Sequence, residues 1–424
     1  MSDARVHALD SLDFSACIRP GDGVVWGQFA SEPTPLVQRL LAQRERIGGF
    51  SVFLGATSTR ILDPAQADHV RFRAIGGIGN NRVLSKAGVL EIVPLQLSAI
   101  PGYLAQGLIP CDVAIVQARA LPDGGYAYAV GSDYIVAAAE QAQRIVVECN
   151  EAAPLVPGPH RIPDGRIVAV VPTRRQVLQV PPAVPGDLER RIAQHAGRYI
   201  GDGATLQVGI GAVPEAITAQ LHDRRDLGVH SGMIGDSVAD LTLAGVITNA
   251  RKPFDAGVTV TGMLAGTDRL YRFADGNPGV LMRSTDYTHD AELLGRLPGL
   301  VSINAAVEVD LTGQVNAEAV GGLHIGAVGG ALDYVRGAHR SPGGHSLFVL
   351  PSTTADGRIS RIVPCLSGPV STSRSDVDVV VTEHGAAELR GKSLRERAKA
   401  LLAVSHPAHR DTLERAAFER FGRL

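Results

Sequence analysis

The chain has 424 residues, 45% hydrophobic and 20% charged, which suffices for a full-sized core in two or three domains and excludes general disorder. A net charge of −2, with Lys and Arg spread along the chain, excludes a nucleic-acid footprint or a basic membrane-binding face. MSDARVHALDSLDF at the N-terminus lacks the cationic-then-apolar layout of a signal, no run of about 18 apolar residues exists, and the scattered Cys17, Cys111, Cys149 and Cys365 form no CxxC; a cytoplasmic protein with reduced structural thiols is expected. The 48 glycines point to many tight strand-to-helix turns, as in an α/β protein that brings backbone close to ligands.

In chain order, GDGVVWGQFASEPTPLVQRL from Gly21 reads as a strand, a small-residue turn carrying Glu32, and an amphipathic helix with a proline in its first turn. FSVFLGATSTRILDP (Phe50 to Pro64) has the small and hydroxyl residues of a pocket wall with room for a short or polar group. VPTRRQVLQVPPAVPGD (Val171 to Asp187) is too proline-rich for a helix or central strand, and sets a boundary between domains 1–180 and 181–424. GDGATLQVGIGAVPEAITAQL from Gly201 then repeats the Gly21 pattern. CDVAIVQ (Cys111 to Gln117) and VDVVVTE (Val377 to Glu383) form a second echo, both reading as buried parallel strands. Chance similarity between α/β segments would explain such echoes too; the sharper reading is two similar open α/β domains facing each other across a cleft, with ligands beyond the strand C-termini.

Four stretches could carry chemistry. In LQVGIGAVPEAI (Leu206 to Ile217) a strand runs into Gly209-Ile210-Gly211 and a helix opens, so backbone amides could meet a thioester oxygen or a phosphate; a tight structural turn fits equally well. In SINAAVEVDLTGQVNAEAVGG, Val307, Val309 and Leu311 alternate with polar residues as in a half-buried strand, placing Glu308 and Asp310 on a solvated face, and Glu318 precedes a glycine-rich turn. GGLHIGAVGGALDYVRGA has five glycines in ten residues, and its His324 reads as a core or rim histidine; no second ligand stands at metal-site spacing, so no metal is expected. In VVTEHGAAELRGKS, Glu383 and His384 follow a buried strand, as an acid–base pair or as helix-capping residues.

DGATLQVGIGAVP, VEVDLTGQVNAE, ISRIVP and VVTEHGAAELRGKSLRERA, in this order, closely resemble the acetyl-CoA hydrolase/transferase family, the group of 4-hydroxybutyrate CoA-transferase and related family I CoA-transferases, over nearly the whole chain. The resemblance implies two similar open α/β CoA-transferase-type domains with the active site in the cleft between them. It implies a glutamate nucleophile that passes through a mixed anhydride to a glutamyl-CoA thioester, and an oxyanion hole at Gly209, Ile210 and Gly211. CoA contacts would fall in the second domain, at Gln207, Gly326, Gly329, Gly330, Glu383, His384 and Gly385. Coenzyme A or acyl-CoA would be a substrate, with no tightly bound cofactor; the partners would be acyl-CoA and a carboxylate, in a homodimer or larger homo-oligomer.

Two positions depart from the family pattern. Where the family reads His-Thr-Glu or His-Ser-Glu before Met, this chain reads His230-Ser231-Gly232-Met233; where it reads Gly-Gly-Gln, this chain reads Gly329-Gly330-Ala331. Three readings stay open. Another carboxylate attacks, Glu32 first and Glu318 second; or the space at Gly232 admits the acceptor or a water, with Ser231 as a donor, giving direct transfer or hydrolysis; or the chain only binds CoA thioesters. A sugar-phosphate binder of similar topology is a further alternative.

Overall fold

The computed structural model describes residues 5–423, and they form two compact units. One comprises the chain up to Pro181 together with Val260–His289; the other comprises Pro182–Thr259 and the chain from Asp290 onward. The expected division at 180/181 thus misses an excursion. Val260–His289 packs with the first unit because its backbone is bonded there. Ser132 donates to the Gly262 carbonyl at 2.8 Å, Leu264 to Val130 at 2.9 Å, and Val180 to Gly266 at 2.9 Å.

The first unit holds a sheet of β1 (Gly23–Trp26), β2 (Phe50–Leu54), β3 (Val70–Ala74), β4 (Leu90–Ile92), β5 (Val113–Ala120), β6 (Tyr126–Tyr128), β7 (Arg144–Asn150) and β8 (Ile167–Thr173). Its order is β4-β3-β2-β1-β5-β7-β8, all parallel, with β6 antiparallel to β5. All four residues of β1 are buried, as a central parallel strand requires. The helix Thr34–Ala42 has Pro35 in its first turn and buries Leu36, Val37, Leu40 and Leu41 against a core of Val24, Trp26, Val52, Leu54, Phe72 and Ile115. The proline-rich stretch is not wholly irregular: β8 runs on through Val171, Pro172 and Thr173. Proline is tolerated because β8 ends the sheet order, where one row of backbone groups has no partner strand.

Further along lie β9 (Thr205–Val208), β10 (Gly228–Ser231), β11 (Thr259–Thr261), β12 (Val280–Met282), β13 (Leu300–Ala305), β14 (Glu308–Asp310), β15 (Val315–Asn316), β16 (Ala319–Val320), β17 (Leu323–His324), β18 (His345–Val349), β19 (Ile362–Val363), β20 (Val379–Thr382) and β21 (Gly385–Glu388). Within the second unit the sheet runs β10-β9-β13-β18-β20-β21, parallel except for β21. Its β9 lies between β10 and β13 as β1 lies between β2 and β5, so the Gly21 and Gly201 repeats occupy equivalent places in two similar units. The second echo does not: β5 neighbours the first strand of its unit, whereas β20 stands two strands further out, beyond β13 and β18. That likeness reflects only the apolar composition that all buried strands share.

Glu308 and Asp310 are buried, not solvated. Glu308 Oε1 accepts from Asn316 Nδ2 (3.0 Å) and from the Ser367 amide and hydroxyl (2.8 and 2.9 Å), while Asp310 Oδ1 accepts from the amides of Thr312 (2.8 Å) and Gln314 (3.0 Å). Alternation located the strand, but turn chemistry consumed its carboxylates. Cys365 is exposed, unlike the buried Cys17, and all four cysteines are free. Among the described residues, no helix is long and apolar enough to cross a membrane, and no group of His, Cys, Asp and Glu is arranged to hold a metal.

Candidate active site

In the second unit, the sites proposed on adjacent strands meet at one edge of the sheet. Because β9, β10, β13, β18 and β20 are parallel, the segments that follow them emerge at the same carboxyl edge. Gly209-Ile210-Gly211 follows β9 and leads into the helix Ala212–Thr218. Gly211 has φ +124° and ψ 175°, a conformation open to glycine and strained for other residues. A Cβ on Gly209 would meet nothing within 4 Å, so there is space above this backbone for a ligand atom.

Ser231 ends β10, and Gly232 follows it beside that loop. Ser231 is buried, and its hydroxyl donates to the Val208 carbonyl at 3.1 Å, tying the two strand ends together. The donor role considered for Ser231 is therefore filled by a structural bond. The Gly232 amide is set against the hydroxyl of fully buried Tyr334. Gln207 lies in the sheet, where its Oε1 accepts from Asn304 Nδ2 at 3.3 Å.

Glu383 and His384 form the turn between β20 and β21, and Gly385 opens β21. Burial alone would raise the Glu383 carboxyl, but bonds from the Ser352 amide (2.9 Å) and hydroxyl (2.5 Å) outweigh it and hold the group below the ordinary carboxylate range. His384 Nε2 is 3.5 Å from Glu383 Oε1. Burial lowers the His384 pKa, so the ring is largely neutral near pH 7. No helix starts here to be capped.

Glu318, Gly326, Gly329 and Gly330 belong to a separate glycine-rich segment. β16 and β17 pair antiparallel through Gly321 and Gly322, which have φ of +56° and +81°. Glu318 is buried, and its Oε1 accepts from Ser371 Oγ at 2.7 Å. Gly326 is fixed by packing, since a Cβ there would stand 2.1 Å from the Ala317 carbonyl oxygen. Gly330 precedes the helix Ala331–Arg340, and Gly329 (φ +59°) has open space beside it.

Glu32, in the first unit, has a different character. It lies in the turn between β1 and the helix Thr34–Ala42 and is only 1% exposed. Its Oε1 accepts from Thr59 Oγ1 at 2.5 Å and Thr34 Oγ1 at 3.0 Å. Its Oε2 is buried and meets no hydrogen-bond donor among the described residues. Burial pushes the carboxyl up to about 6, against the opposing pull of the two hydroxyls and of Arg175. At pH 7 such a group is mostly ionised yet poorly solvated, a state suited to nucleophilic attack.

Several supporting groups carry no sequence signal of their own. Thr59 lies in the stretch read as a pocket wall, but it bonds to Glu32. Arg175 sits in the proline-rich boundary and looks there like a solvated charge. Ser352 and Tyr334 are ordinary residues whose roles depend on strand register and helix placement.

The sequence model of the acetyl-CoA hydrolase/transferase N-terminal domain matches residues 13–174, and that of the C-terminal domain matches residues 266–417. The chain is 36% identical to the 4-hydroxybutyrate coenzyme A transferase of Clostridium kluyveri, with 94% of each chain covered. It is 33% identical to the succinyl-CoA:cyclohexane-1-carboxylate CoA transferase of Geobacter metallireducens, covering 97% of this chain and 95% of that one. Among solved structures, RipA from Yersinia pestis superposes with a TM-score of 0.93 at 32% identity, covering 99% of this chain and 98% of that one. Matched in both domains and along nearly its whole length, the chain belongs to the acetyl-CoA hydrolase/transferase family.

Proposed function

We propose that this protein is an acyl-CoA:carboxylate CoA-transferase for short-chain acyl-CoA thioesters, in which Glu32 supplies the nucleophilic carboxylate that Gly232 cannot. The observation that carries this reading is the buried Glu32 Oε2, which meets no hydrogen-bond donor among the described residues while its partner oxygen is fixed by two threonines. Glu318 likewise has its Oε1 held, by Ser371, but its other oxygen is not a buried atom lacking a donor, as Glu32 Oε2 is.

The reaction closes without an outside base. The Glu32 carboxylate attacks the thioester carbonyl, and CoA leaves as its thiolate, giving a mixed anhydride. The thiolate attacks the glutamyl carbonyl and expels the acyl group as a carboxylate, leaving glutamyl-CoA. An acceptor carboxylate then attacks that thioester and releases the thiolate again. The thiolate adds to the acceptor acyl carbon, and Glu32 departs as a free carboxylate. The family resemblance assigns oxyanion stabilisation to the amides of the Gly209–Gly211 loop, and CoA contacts to Gln207, Gly326, Gly329, Gly330, Glu383, His384 and Gly385. No tightly bound cofactor takes part.

Transfer and hydrolysis are separated by omitting the acceptor. The transferase reading expects acyl-CoA loss only when a short-chain carboxylate is present, with a new acyl-CoA formed; equal loss in buffer alone would make the protein a hydrolase. Binding is tested separately by thermal shift. CoA or a short acyl-CoA at about 100 times its Kd should stabilise the fold by about 2.7 kcal/mol. No shift at millimolar CoA or any short acyl-CoA would leave a reading without its substrate.

A further inference from the structure

We propose that Arg175 is the positioning residue for Glu32, clamping the main chain of the Glu32 turn while Glu148 locks the guanidinium in place. This rests on the reading of Glu32 as the nucleophile.

The clamp is built from three sides. Arg175 Nε and Nη2 bond the two oxygens of Glu148 at 2.6 and 2.9 Å, a bidentate pair whose carboxylate is fully buried on β7. Glu148 Oε1 also accepts from Thr173 Oγ1 at 2.9 Å. The main chain of Arg175 is held by Asn150, whose Oδ1 accepts its amide at 3.1 Å and whose Nδ2 donates to its carbonyl at 2.9 Å. From this fixed position Nη2 reaches the Glu32 carbonyl oxygen at 2.9 Å, and Gln117 Nε2 approaches the same oxygen at 3.5 Å.

The turn has reason to be held. Phe29, three residues before Glu32, has φ +47°, a left-handed conformation uncommon for a bulky side chain. Arg175 fixes the main chain and the two threonines fix Oε1, which together leave Oε2 as the oxygen with no hydrogen bond among the described residues. A planar fork with five N–H donors can hold both oxygens of Glu148 and the Glu32 carbonyl at once, whereas a lysine, with three donors on one atom, lacks the bidentate geometry. The charged and titratable groups of the first unit that bear on Glu32 are Arg175, Glu148 behind it and Tyr134, which Asp133 also faces.

A purely structural ion pair would behave differently under mutation. Arg175→Leu alone strands the buried Glu148 charge and destabilises the fold, whereas Glu148→Leu with Arg175→Leu removes the pair and should recover thermal stability. The clamp predicts that the double variant regains its Tm but keeps a kcat lowered about 100-fold, as for a misplaced reacting group, with little change in KM for acyl-CoA. Its acid limb should move to higher pH, because the cation that favours the Glu32 carboxylate is gone. Arg175→Lys keeps the charge and loses the fork, so its kcat should fall with the limb near its wild-type position. A double variant that recovers both stability and wild-type kcat with an unmoved limb, or an Arg175→Lys variant of unchanged kcat, overturns the clamp. A fully active Glu32→Gln variant would instead remove the reading beneath it, so the two failures are distinguishable.

Discussion

Glu32→Gln should lower CoA transfer by about four orders of magnitude or more, the scale of losing a nucleophile that works within a unit of cooperating groups. The amide keeps the shape and can still accept from Thr34 and Thr59, so the loss would be chemical. Stability should move the other way with pH. Burial carries the Glu32 carboxyl from 4.5 to about 6, so its ionised form costs about 2 kcal/mol of folding stability. For a carboxyl raised in the folded state, stability is fully present below about 4.5 and is lost as pH rises through about 6. The difference in stability between Glu32→Gln and wild type should therefore shift in the variant's favour across that window and level off above it. Denaturant unfolding at pH 4 and pH 8 measures it; a difference independent of pH would mean that Glu32 is not a strained buried carboxylate.

Gly209→Leu should cost about 10²–10³-fold in kcat, the usual effect of losing one oxyanion donor, or about 2.7–4 kcal/mol of barrier. Gly209 is a cleaner site for this test than Gly211. A side chain at Gly211 would be strained by φ +124° whatever the ligand does, whereas a Cβ at Gly209 enters open space. A folded Gly209→Leu protein with wild-type Tm and wild-type turnover would make this loop a structural turn only.

Much of the fold was legible because it is written locally. The Gly21 and Gly201 repeats each combine a buried strand, a small-residue turn and a helix with proline near its start, and they occupy equivalent positions in two sheets of like order. The excursion of Val260–His289 was not legible, because it depends on backbone bonds between residues more than a hundred positions apart, such as Ser132 to Gly262. At the site, Glu32 could be picked from its place on the repeat, but its environment could not. Thr59 and Arg175 converge on it from remote segments, and only strand order brings β1, β2 and the end of β8 together. Glu308 and Asp310 erred for the same reason, since the amides that bury them come from turns that alternation does not describe.

The most direct test is to trap the intermediate. Wild-type protein is incubated with a short acyl-CoA, reduced with borohydride, digested and mapped by mass spectrometry. The Glu32 reading predicts reductive modification of the peptide carrying Glu32, dependent on acyl-CoA and absent from Glu32→Gln. An adduct on Glu318 or another carboxylate, or none at all under conditions of full turnover, would contradict it.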